Sequence, residues 1–431
     1  MQKDPLHNLK LFRTNRDGNF GVLTALMLVP LIGIAGLAVD LGMAVDERSA
    51  LMNAADAAAV GALSEKSATV AQAMNMSANG EIQLGNDDAR RLFLAQLPQS
   101  LRDRLSNVAV SIKRENTELT SNVSFTAAIP TAFMGILGKD SIGVSGTAKA
   151  TYKTNAFIDF FMLLDNTPSM GLGATNADIA KLEASFGCAF ACHATGKAAD
   201  NTLEAAGDLG VKLRIDIVRD ATKKLTEDVD LYKIANNQYR MAVYSFGTSA
   251  DDIGLKEIAK LTSNMDNVDK AVDNLDLMST VKNNYNDNQL TDFASTFASI
   301  KSVVGTVGTG SSATDRQKVV FLVSDGMTDA AKTECSGSAK GTRCMEPIDA
   351  TVCKDLKDKG IKVAVVYTTY IPLPDDSFWV NRIKPFDSRL RPSMEACATQ
   401  GYFIEASPSE DIGKAMQTLF RKLMNSPRLT N

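Results

Sequence analysis

The stretch from Phe157 to Gly171, FIDFFMLLDNTPSMG, constrains the fold more than any other part of the chain. An apolar run ends abruptly at Asp165, and Thr167 and Ser169 follow at every second residue. An unbroken apolar run of this kind is typical of a strand that is buried on both faces of a parallel sheet. Ligands bind such sheets just beyond the carboxyl ends of the strands. These three side chains are therefore candidate ligands of a hard cation such as Mg²⁺, which prefers oxygen.

Two later segments carry further oxygen ligands in equivalent positions. The segment KVVFLVSDGMTD, from Lys318 to Asp329, is a second buried-strand pattern, and it ends at Asp325. In QLTDF, residues 289–293, Thr291 opens an amphipathic helical stretch. We expect these segments to form one divalent-cation site from Asp165, Thr167, Ser169, Thr291 and Asp325. The alternative is a polar turn that caps the next helix.

Strand and helix patterns alternate from Phe157 onward. This alternation predicts an α/β fold with a doubly wound, mostly parallel sheet. We place this Rossmann-like domain at residues 155–426, followed by a short tail at 427–431. Its predicted strands are Ile158 to Leu164, Tyr239 to Phe246, Val319 to Ser324, Ile361 to Thr368 and Gly401 to Glu405, with an edge strand near Ile253 to Leu261.

The order of the ligand residues resembles a known metal site. A DxTxS loop, a later Thr and an Asp-Gly pair are similar to the metal-ion-dependent adhesion site (MIDAS) of von Willebrand factor A (VWA) domains, although Thr167 stands where that family usually has Ser. The resemblance implies that Ser169 and Thr167 coordinate Mg²⁺ directly, with Mn²⁺ or Ca²⁺ as alternatives. It also implies direct or water-mediated coordination by Thr291, Asp165 and Asp325. An acidic residue of a protein partner would complete the shell.

The N-terminal region contains one charge-free apolar run, Phe20 to Val39. Its 20 residues match the length of a helix that crosses a bilayer, and we place a transmembrane helix at residues 18–42. Four basic residues precede the run: Lys3, Lys10, Arg13 and Arg16. The positive-inside rule therefore predicts a single-pass protein, with residues 1–17 in the cytoplasm and the bulk of the chain on the other side of the membrane. A cleaved secretory signal and a buried core helix are the alternatives.

The pattern of residues 43–154 predicts a long helix followed by a small α+β unit of pilin-like size. The Ala-rich stretch after Asp40 continues the helix out of the membrane, to about Ala78. A short helix is expected from Asp87 to Leu97, and a helical link from Thr131 to Leu137. Alternating patterns predict three strands: Val108 to Lys113, Thr120 to Ala127 and Ile142 to Tyr152.

Four segments resemble TadG-like proteins of Flp (Tad) pilus assembly. They are RDGNFGVL, VDLGMAVDERSALMNAADAAA, MGLGATNADIAKL and CAFACH. The resemblance implies a membrane-anchored envelope protein of a Flp pilus assembly or adhesion system, with components of the pilus machinery among its partners. It also implies that the membrane is the bacterial inner membrane and that the bulk of the chain is periplasmic or surface-exposed. Related pilins are cleaved after a Gly and carry a Glu shortly afterwards. Here Gly18 is present but Leu23 takes the position of that Glu, which favours a retained anchor.

All six cysteines lie beyond the apolar run, which favours three disulfides in an oxidising compartment. The segment CAFACH predicts a local pair, because its spacing does not match a haem-attachment motif. The preferred pairs are Cys188–Cys192, Cys335–Cys344 and Cys353–Cys397, and other pairings stay open.

The composition limits the classes of function. The chain has two histidines, which excludes a His-rich zinc site and disfavours a Ser-His-Asp hydrolase. A net charge of -4 argues against a general role in nucleic-acid binding. We therefore predict binding rather than catalysis. An envelope VWA scaffold or mechanosensor without a pilus is one alternative, and a metal-dependent hydrolase is a weaker one, since residues 165–171 contain no Lys or Arg to hold a phosphate.

Overall fold

The computed structural model describes residues 19–424 apart from 77, 155, 188–205, 250–251, 279–289, 370–371, 373, 375–376 and 407–411. The chain divides into two compact units. The first includes the chain up to Thr154 except residues 74–77, and the second contains the remainder. Gly18, Cys188 and Cys192 lie outside the described residues.

The first unit begins with a 44-residue helix, α1 (Asn19–Ala62). At about 1.5 Å per residue the helix is about 66 Å long, roughly twice the ~30 Å thickness of a bilayer's hydrocarbon core. Within the described part of the chain, it is the one helix long and apolar enough to cross a membrane, and only 6% of its most apolar window is buried. The helix passes Asp40 without a break, as the sequence predicts, but it ends at Ala62 rather than near Ala78.

A four-stranded antiparallel sheet packs on the second half of α1. Its strands, in spatial order, are β1 (Gly80–Glu81), β2 (Leu105–Glu115), β3 (Glu118–Pro130) and β4 (Ser141–Lys153). The helix contributes small and apolar side chains to this interface, among them the buried Leu51, Ala55 and Ala58. A Cβ atom at Gly146 would lie 2.3 Å from the Met52 sulfur, so β4 can approach the helix this closely only with glycine at that position.

In the described residues, α1 is followed by three short helices, the first of which extends two residues into the segment that belongs to the second unit. They are α2 (Ala68–Asn75), α3 (Gln83–Ala95) and α4 (Gln99–Arg102), and a 3₁₀ turn at Met134–Leu137 joins β3 to β4. Phe93 of α3 stacks on Phe125 of β3 with 6.0 Å between the ring centroids. The three predicted strands are present, and each is longer than predicted because antiparallel pairing continues into the flanking polar residues.

The second unit is built on a six-stranded, mostly parallel sheet. In the spatial order of the strands, neighbours pair in parallel except for the last two, which are antiparallel. The order is β13 (Phe403–Ala406), β12 (Lys362–Thr368), β8 (Gln317–Ser324), β5 (Ile158–Leu164), β6 (Tyr239–Ser249) and β7 (Asp252–Thr262). The apolar run identified in the sequence is thus a central strand, with all seven residues of β5 buried.

Apolar side chains are buried on both faces of this sheet, because successive residues of a strand point to opposite faces. Phe160 and Met162 belong to one hydrophobic cluster, and Phe161 and Leu163 belong to the other. In the described part of this unit, the sheet is accompanied by seven helices: α5 (Asn176–Phe186), α6 (Arg214–Tyr232), α7 (Met265–Val272), α8 (Phe293–Val304), α9 (Thr351–Asp358), α10 (Asp387–Cys397) and α11 (Ile412–Met424). The first cluster includes residues of α6, α7 and α11, and the second includes residues of α8, α9 and α10.

The sequence gives no indication of a small antiparallel sheet that follows β8. Its strands are β9 (Met327–Ala331), β10 (Ser338–Lys340) and β11 (Arg343–Pro347), with β11 in the centre. These strands are short and lie among Gly, Ser and charged residues, so they have the composition of a loop. A disulfide between Cys335 and Cys344 closes the sheet.

Two of the three predicted disulfides are confirmed. Cys335 pairs with Cys344, and Cys353 of α9 pairs with Cys397 of α10. The predicted pair of Cys188 and Cys192 lies outside the described residues. Peptide mapping of the non-reduced protein should therefore recover two linked peptides with these connections and a third that contains the local pair. Alkylation of any of the four cysteines of the confirmed pairs in the native, non-reduced protein would contradict this assignment.

A buried charge cluster lies at the amino-terminal end of β5. Asp159 is fully buried, and it accepts hydrogen bonds from Arg240, Arg316 and Lys318 of the two neighbouring strands and the segment before β8. Burial favours the neutral acid, but these three cations hold the pKa of Asp159 below its ordinary value. Arg316 also donates to the backbone carbonyls of Asn237 and Gln238, both at 2.9 Å. The cluster thus ties three chain segments together at this edge of the sheet.

Trp379, the one tryptophan of the sequence, is 6% exposed and lies in a π-helix at Trp379–Ile383. Its ring packs in the second hydrophobic cluster, as expected of a buried anchor rather than a ligand contact. Its fluorescence therefore reports the folding of the second unit.

Candidate metal centre

The carboxyl ends of β5 and β8 place two carboxylates at one edge of the sheet. The strands are parallel neighbours with Leu164 opposite Val323, and the Asp165 amide donates to the Val323 carbonyl at 2.9 Å. Asp165 and Asp325 therefore leave the sheet side by side. Both side chains are fully buried.

The loop after β5 folds its hydroxyls back toward Asp165. The Thr167 amide and hydroxyl both donate to Asp165 Oδ1, at 2.9 and 2.6 Å. A 3₁₀ turn at Pro168–Gly171 then brings the Ser169 hydroxyl to 3.5 Å from that of Thr167. The Ser169 hydroxyl also favours the ionised form of the Asp325 carboxyl. The side chains of Asp165, Thr167 and Ser169, which occupy alternate positions of the loop, thus lie next to one another.

Asn166, which the sequence analysis did not single out, fixes the path of this loop. Its side-chain nitrogen donates to the carbonyls of Gly247 and Asp276, at 2.7 and 2.9 Å, and its side-chain oxygen accepts from the Phe246 amide at 3.0 Å. Its backbone carbonyl accepts from the Met278 amide at 2.7 Å. The side chain is therefore an internal brace that ties the loop to β6 and to the segment after α7.

The turn after β8 is shaped by Ser324 and Gly326. The Ser324 hydroxyl donates to Asp165 Oδ2 at 2.5 Å and accepts from the Gly326 amide at 3.0 Å. Gly326 has φ of +73°, a conformation that L side chains rarely adopt, and a Cβ there would lie 2.4 Å from the Met394 side chain. The Asp-Gly pair of the sequence is thus required by the backbone as well as by the carboxylate.

Thr291 is positioned through its backbone. It forms an isolated antiparallel bridge with Asp329 of β9, in which each amide donates to the other's carbonyl at 2.9–3.0 Å. Asp329 itself is buried and accepts hydrogen bonds from Arg343 of β11. The next residue, Asp292, caps α8 by accepting from the Ser295 amide at 3.0 Å. The small disulfide-closed sheet therefore holds the segment that contains Thr291. The side chain of Thr291 is buried.

Electrostatics in this site favour an added cation. Burial and the nearby charge of Asp165 raise the pKa of Asp325 to about 6. Burial likewise raises the pKa of Asp165, although hydrogen bonds from Ser324 and Thr167 act in the opposite direction. Among the described residues, Asp325 Oδ2 has no hydrogen-bond partner although it is buried. A buried, unpartnered carboxylate oxygen beside a second carboxylate and two hydroxyls is the donor set that a divalent cation fits.

Arg214 was not predicted from the sequence, but its positive charge acts on both carboxylates. It opens α6, and its amide donates to the carbonyl of Leu172, just after the ligand loop. Its guanidinium donates to the carbonyls of Thr368 and Thr369 at the end of β12, at 2.9 and 3.3 Å. The positive charge of Arg214 opposes the effect of burial, which raises the pKa of Asp165 and of Asp325. Its Nη1 atom is buried and has no hydrogen-bond partner among the described residues.

The raised pKa of Asp325 predicts a pH dependence of the metal-free protein. A carboxyl whose pKa rises on folding adds stability below its unfolded pKa and loses that stability as pH rises through the folded value. Between pH 5 and 7 the free energy of unfolding of the second unit should therefore fall by about 1.3 kcal/mol, since part of the effect is already lost below pH 5. Thermal unfolding in EDTA, followed by Trp379 fluorescence, measures this loss.

The matched control for this pH effect is Asp325→Asn, which removes the titrating group. Its melting temperature should change less between pH 5 and 7 than that of the wild type. A wild-type melting temperature that rises over this range, or a variant with the same decrease as the wild type, would contradict the assignment to Asp325.

The five predicted ligands are thus placed in two ways. Asp165, Thr167, Ser169 and Asp325 are joined by direct contacts or by charge. Thr291 is attached through its backbone to β9, which begins two residues after Asp325. Coordination of a metal by these residues stays a prediction.

Comparison with known proteins gives one family match. Residues 18–73 match the family described as putative Flp pilus-assembly TadE/G-like. No curated protein sequence matches the chain.

Several solved structures are similar at low identity. The von Willebrand factor domain of the type V pili tip protein Mfa5 from Porphyromonas gingivalis is 11% identical, with 64% of this chain and 99% of that chain covered and a TM-score of 0.37. The pilus adhesin SpaC from Lactobacillus rhamnosus GG is 11% identical, with 74% of this chain and 34% of that chain covered and a TM-score of 0.38. The PilB minor pilin from Streptococcus sanguinis is 11% identical, with 74% of this chain and 78% of that chain covered and a TM-score of 0.34.

These TM-scores are all below 0.5, so the description of the fold rests on the strand order and not on the structural likenesses. The family match is independent of them and covers the apolar run and the Ala-rich helix that the sequence analysis singled out. Residues 18–73 are thus similar to the TadE/G-like family of Flp pilus assembly, and the predicted resemblance is confirmed over these residues.

Proposed function

We propose that the chain is a membrane-anchored envelope protein of a Flp pilus assembly or adhesion system. In this proposal its second unit is a doubly wound VWA domain that binds a protein partner through a divalent cation. The observation that carries the binding role is the buried pair of Asp165 and Asp325, with two hydroxyls and an unpartnered carboxylate oxygen at the end of two parallel strands.

The proposed metal ligands come from three segments of the chain. Thr167 and Ser169 would supply hydroxyl oxygens, and the two carboxylates would supply charge, directly or through water. Thr291 would contribute from the segment held by β9. When bound, the cation would leave a coordination position for an oxygen of a partner.

The charge balance of the site favours an acidic partner. Two ionised carboxylates and the guanidinium of Arg214 carry a net charge of −1, and a divalent ion would change it to +1. A site of this sign attracts a carboxylate. The proposal is one of binding rather than catalysis. Arg214 supports this because its guanidinium is engaged in a structural contact, in which it donates to the carbonyls at the end of β12.

The membrane placement in this proposal rests on α1. The helix has an apolar first half whose side chains are exposed, and the TadE/G-like match covers it. We place residues 1–17 in the cytoplasm, the span in the inner membrane, and residues 43–431 in the periplasm or at the cell surface.

Isolation of the tagged full chain from its native membranes tests the proposal. Pilus-machinery proteins should accompany the wild type in Mg²⁺ and be lost in EDTA, because the cation completes the binding site. The double variant Thr167→Ala/Ser169→Ala should lose them even in Mg²⁺.

A control variant, Ser302→Ala/Thr418→Ala, removes two exposed hydroxyls of α8 and α11 and should behave like the wild type. An unchanged set of partners in EDTA and in the Thr167→Ala/Ser169→Ala variant would argue against metal-dependent binding.

A further inference from the structure

The turn between β3 and β4 exposes large apolar side chains. Within the 3₁₀ turn at Met134–Leu137, Ile136 is 84% exposed and Leu137 is 73% exposed, and the adjacent Phe133 is 40% exposed. Three such side chains on one short turn form an apolar patch that a periplasmic surface would not present without a reason. We call residues 131–140 the hairpin tip.

The hairpin tip lies against the helix proposed to cross the membrane. Phe133 packs on Gly36 so closely that a Cβ atom at Gly36 would lie 2.5 Å from the Phe133 Cβ. One turn further along α1, the buried carboxylate of Asp40 accepts hydrogen bonds from three consecutive amides of the tip, at 2.8, 2.9 and 2.7 Å. Gly36 and Asp40 share one face of the helix, so that face is the one that holds the tip.

The position along the helix gives the depth of this contact. Gly36 lies three residues before Val39, the last residue of the charge-free run, which corresponds to about 5 Å of helix. Interfacial segments bury their apolar side chains about 5–10 Å into the boundary between headgroups and acyl chains. The tip is therefore level with the last turn of the proposed span, at the depth of the membrane interface.

The backbone of the tip is suited to a medium poor in water. An unsatisfied amide in such a medium is costly. Seven amides of the tip have hydrogen-bond partners, on Asp40 or within the tip: Thr131, Ala132, Phe133, Met134, Ile136, Gly138 and Lys139. Exposed polar residues, Lys139 and Asp140, follow the apolar turn, and a lysine at this position can reach the lipid phosphates.

We infer that the hairpin tip is a second membrane contact, inserted into the leaflet from which α1 emerges. The occupant of the patch is lipid because the tip packs on Gly36 of α1, and the apolar side chains that follow Gly36 on this helix are exposed as well, among them Leu37, Val39 and Leu41. The inference rests on the proposed membrane span. It assigns to the first unit a fixed orientation on the bilayer, set by two contacts instead of one.

Quenching of tryptophan fluorescence by brominated lipids tests this inference on the full chain in phosphatidylcholine vesicles. In a Trp379→Phe background, a single tryptophan is introduced by Ile136→Trp, by Leu28→Trp in the span, or by Glu115→Trp at the far end of the β2–β3 hairpin. Lipids brominated near the glycerol should quench Ile136→Trp more than lipids brominated near the chain ends. Leu28→Trp should show the reverse order, and Glu115→Trp should be quenched by neither lipid.

The pattern of results separates the tip from the anchor. Quenching of Leu28→Trp without quenching of Ile136→Trp would overturn the tip contact and leave the anchor intact, and a blue-shifted but unquenched Ile136→Trp would mean that protein covers the tip. Absence of quenching in Leu28→Trp would overturn the span and the inference with it.

A second pair of variants tests how α1 positions the tip. Gly36→Ile removes the space that Phe133 occupies, whereas a Cβ at Gly33 meets nothing within 4 Å. Added to Ile136→Trp, Gly36→Ile should therefore reduce the quenching and Gly33→Ile should leave it unchanged. Equal quenching in the two variants would overturn the role of α1 in placing the tip.

Discussion

Replacing Asp165 with alanine is expected to abolish binding of Mg²⁺ while leaving the second unit folded. The variant removes one of two buried carboxylates, and the pKa of the remaining Asp325 is then raised by burial but no longer by repulsion from Asp165. At a Mg²⁺ concentration one hundred times the Kd, the wild type should gain about 2.7 kcal/mol of stability and the variant none. Titration calorimetry and thermal unfolding of the full chain in detergent measure the two effects.

The control for this metal experiment is Asp358→Ala, which removes an exposed carboxylate of the same unit. It should bind Mg²⁺ with the same heat as the wild type. Equal heats for the wild type and Asp165→Ala, or no heat for either at millimolar Mg²⁺ or Mn²⁺, would contradict the metal site. The loop would then be a polar turn that caps the following helix.

Replacing Asp159 with asparagine is expected to destabilise the second unit by about 3–5 kcal/mol, the cost of breaking a buried ion pair from one side. The substitution leaves three cations without their counter-charge, and the side chain of Arg316 is only 4% exposed. Arg240 makes a bidentate contact with the same carboxylate, at 2.8 and 2.7 Å, which the amide cannot reproduce. Urea unfolding followed by Trp379 fluorescence measures the loss.

A matched pair of variants isolates burial as the cause of this Asp159 effect. Asp358→Asn breaks an exposed pair with Lys354 and should cost less than about 1 kcal/mol. Adding Lys318→Met to Asp159→Asn should recover part of the stability, because one of the uncompensated charges is then removed. A small effect of Asp159→Asn, similar to that of Asp358→Asn, would show that water reaches the cluster.

The sequence predicted the local parts of the metal site because strand ends carry a clear signal. The buried run before Asp165 and the second run before Asp325 indicate two strands, and the parallel pairing then brings the carboxylates together. The preferred disulfides Cys335–Cys344 and Cys353–Cys397 are also present.

The residues that the sequence analysis missed act across long separations. Arg214 reaches the carboxylates only because the end of β12 and the start of α6 meet at the ligand loop, and a single arginine at a helix start carries no such signal. Ser324 and Asn166 are polar residues next to the predicted ligands, but their partners become visible only in the folded sheet. Asp159 did offer a signal, since a charged residue inside a fully buried strand requires a buried counter-charge.

The unbroken course of α1 has a mechanical consequence. No loop separates the apolar half of the helix from the half that carries the sheet, so no hinge exists there to absorb a load. A pull on the first unit along the helix axis would act in shear on the whole interface with β4 and on the three amides held by Asp40. These contacts share the force in parallel, whereas a flexible linker would stretch first. In the proposed membrane placement, the first unit therefore transmits tension to the bilayer through one continuous helix.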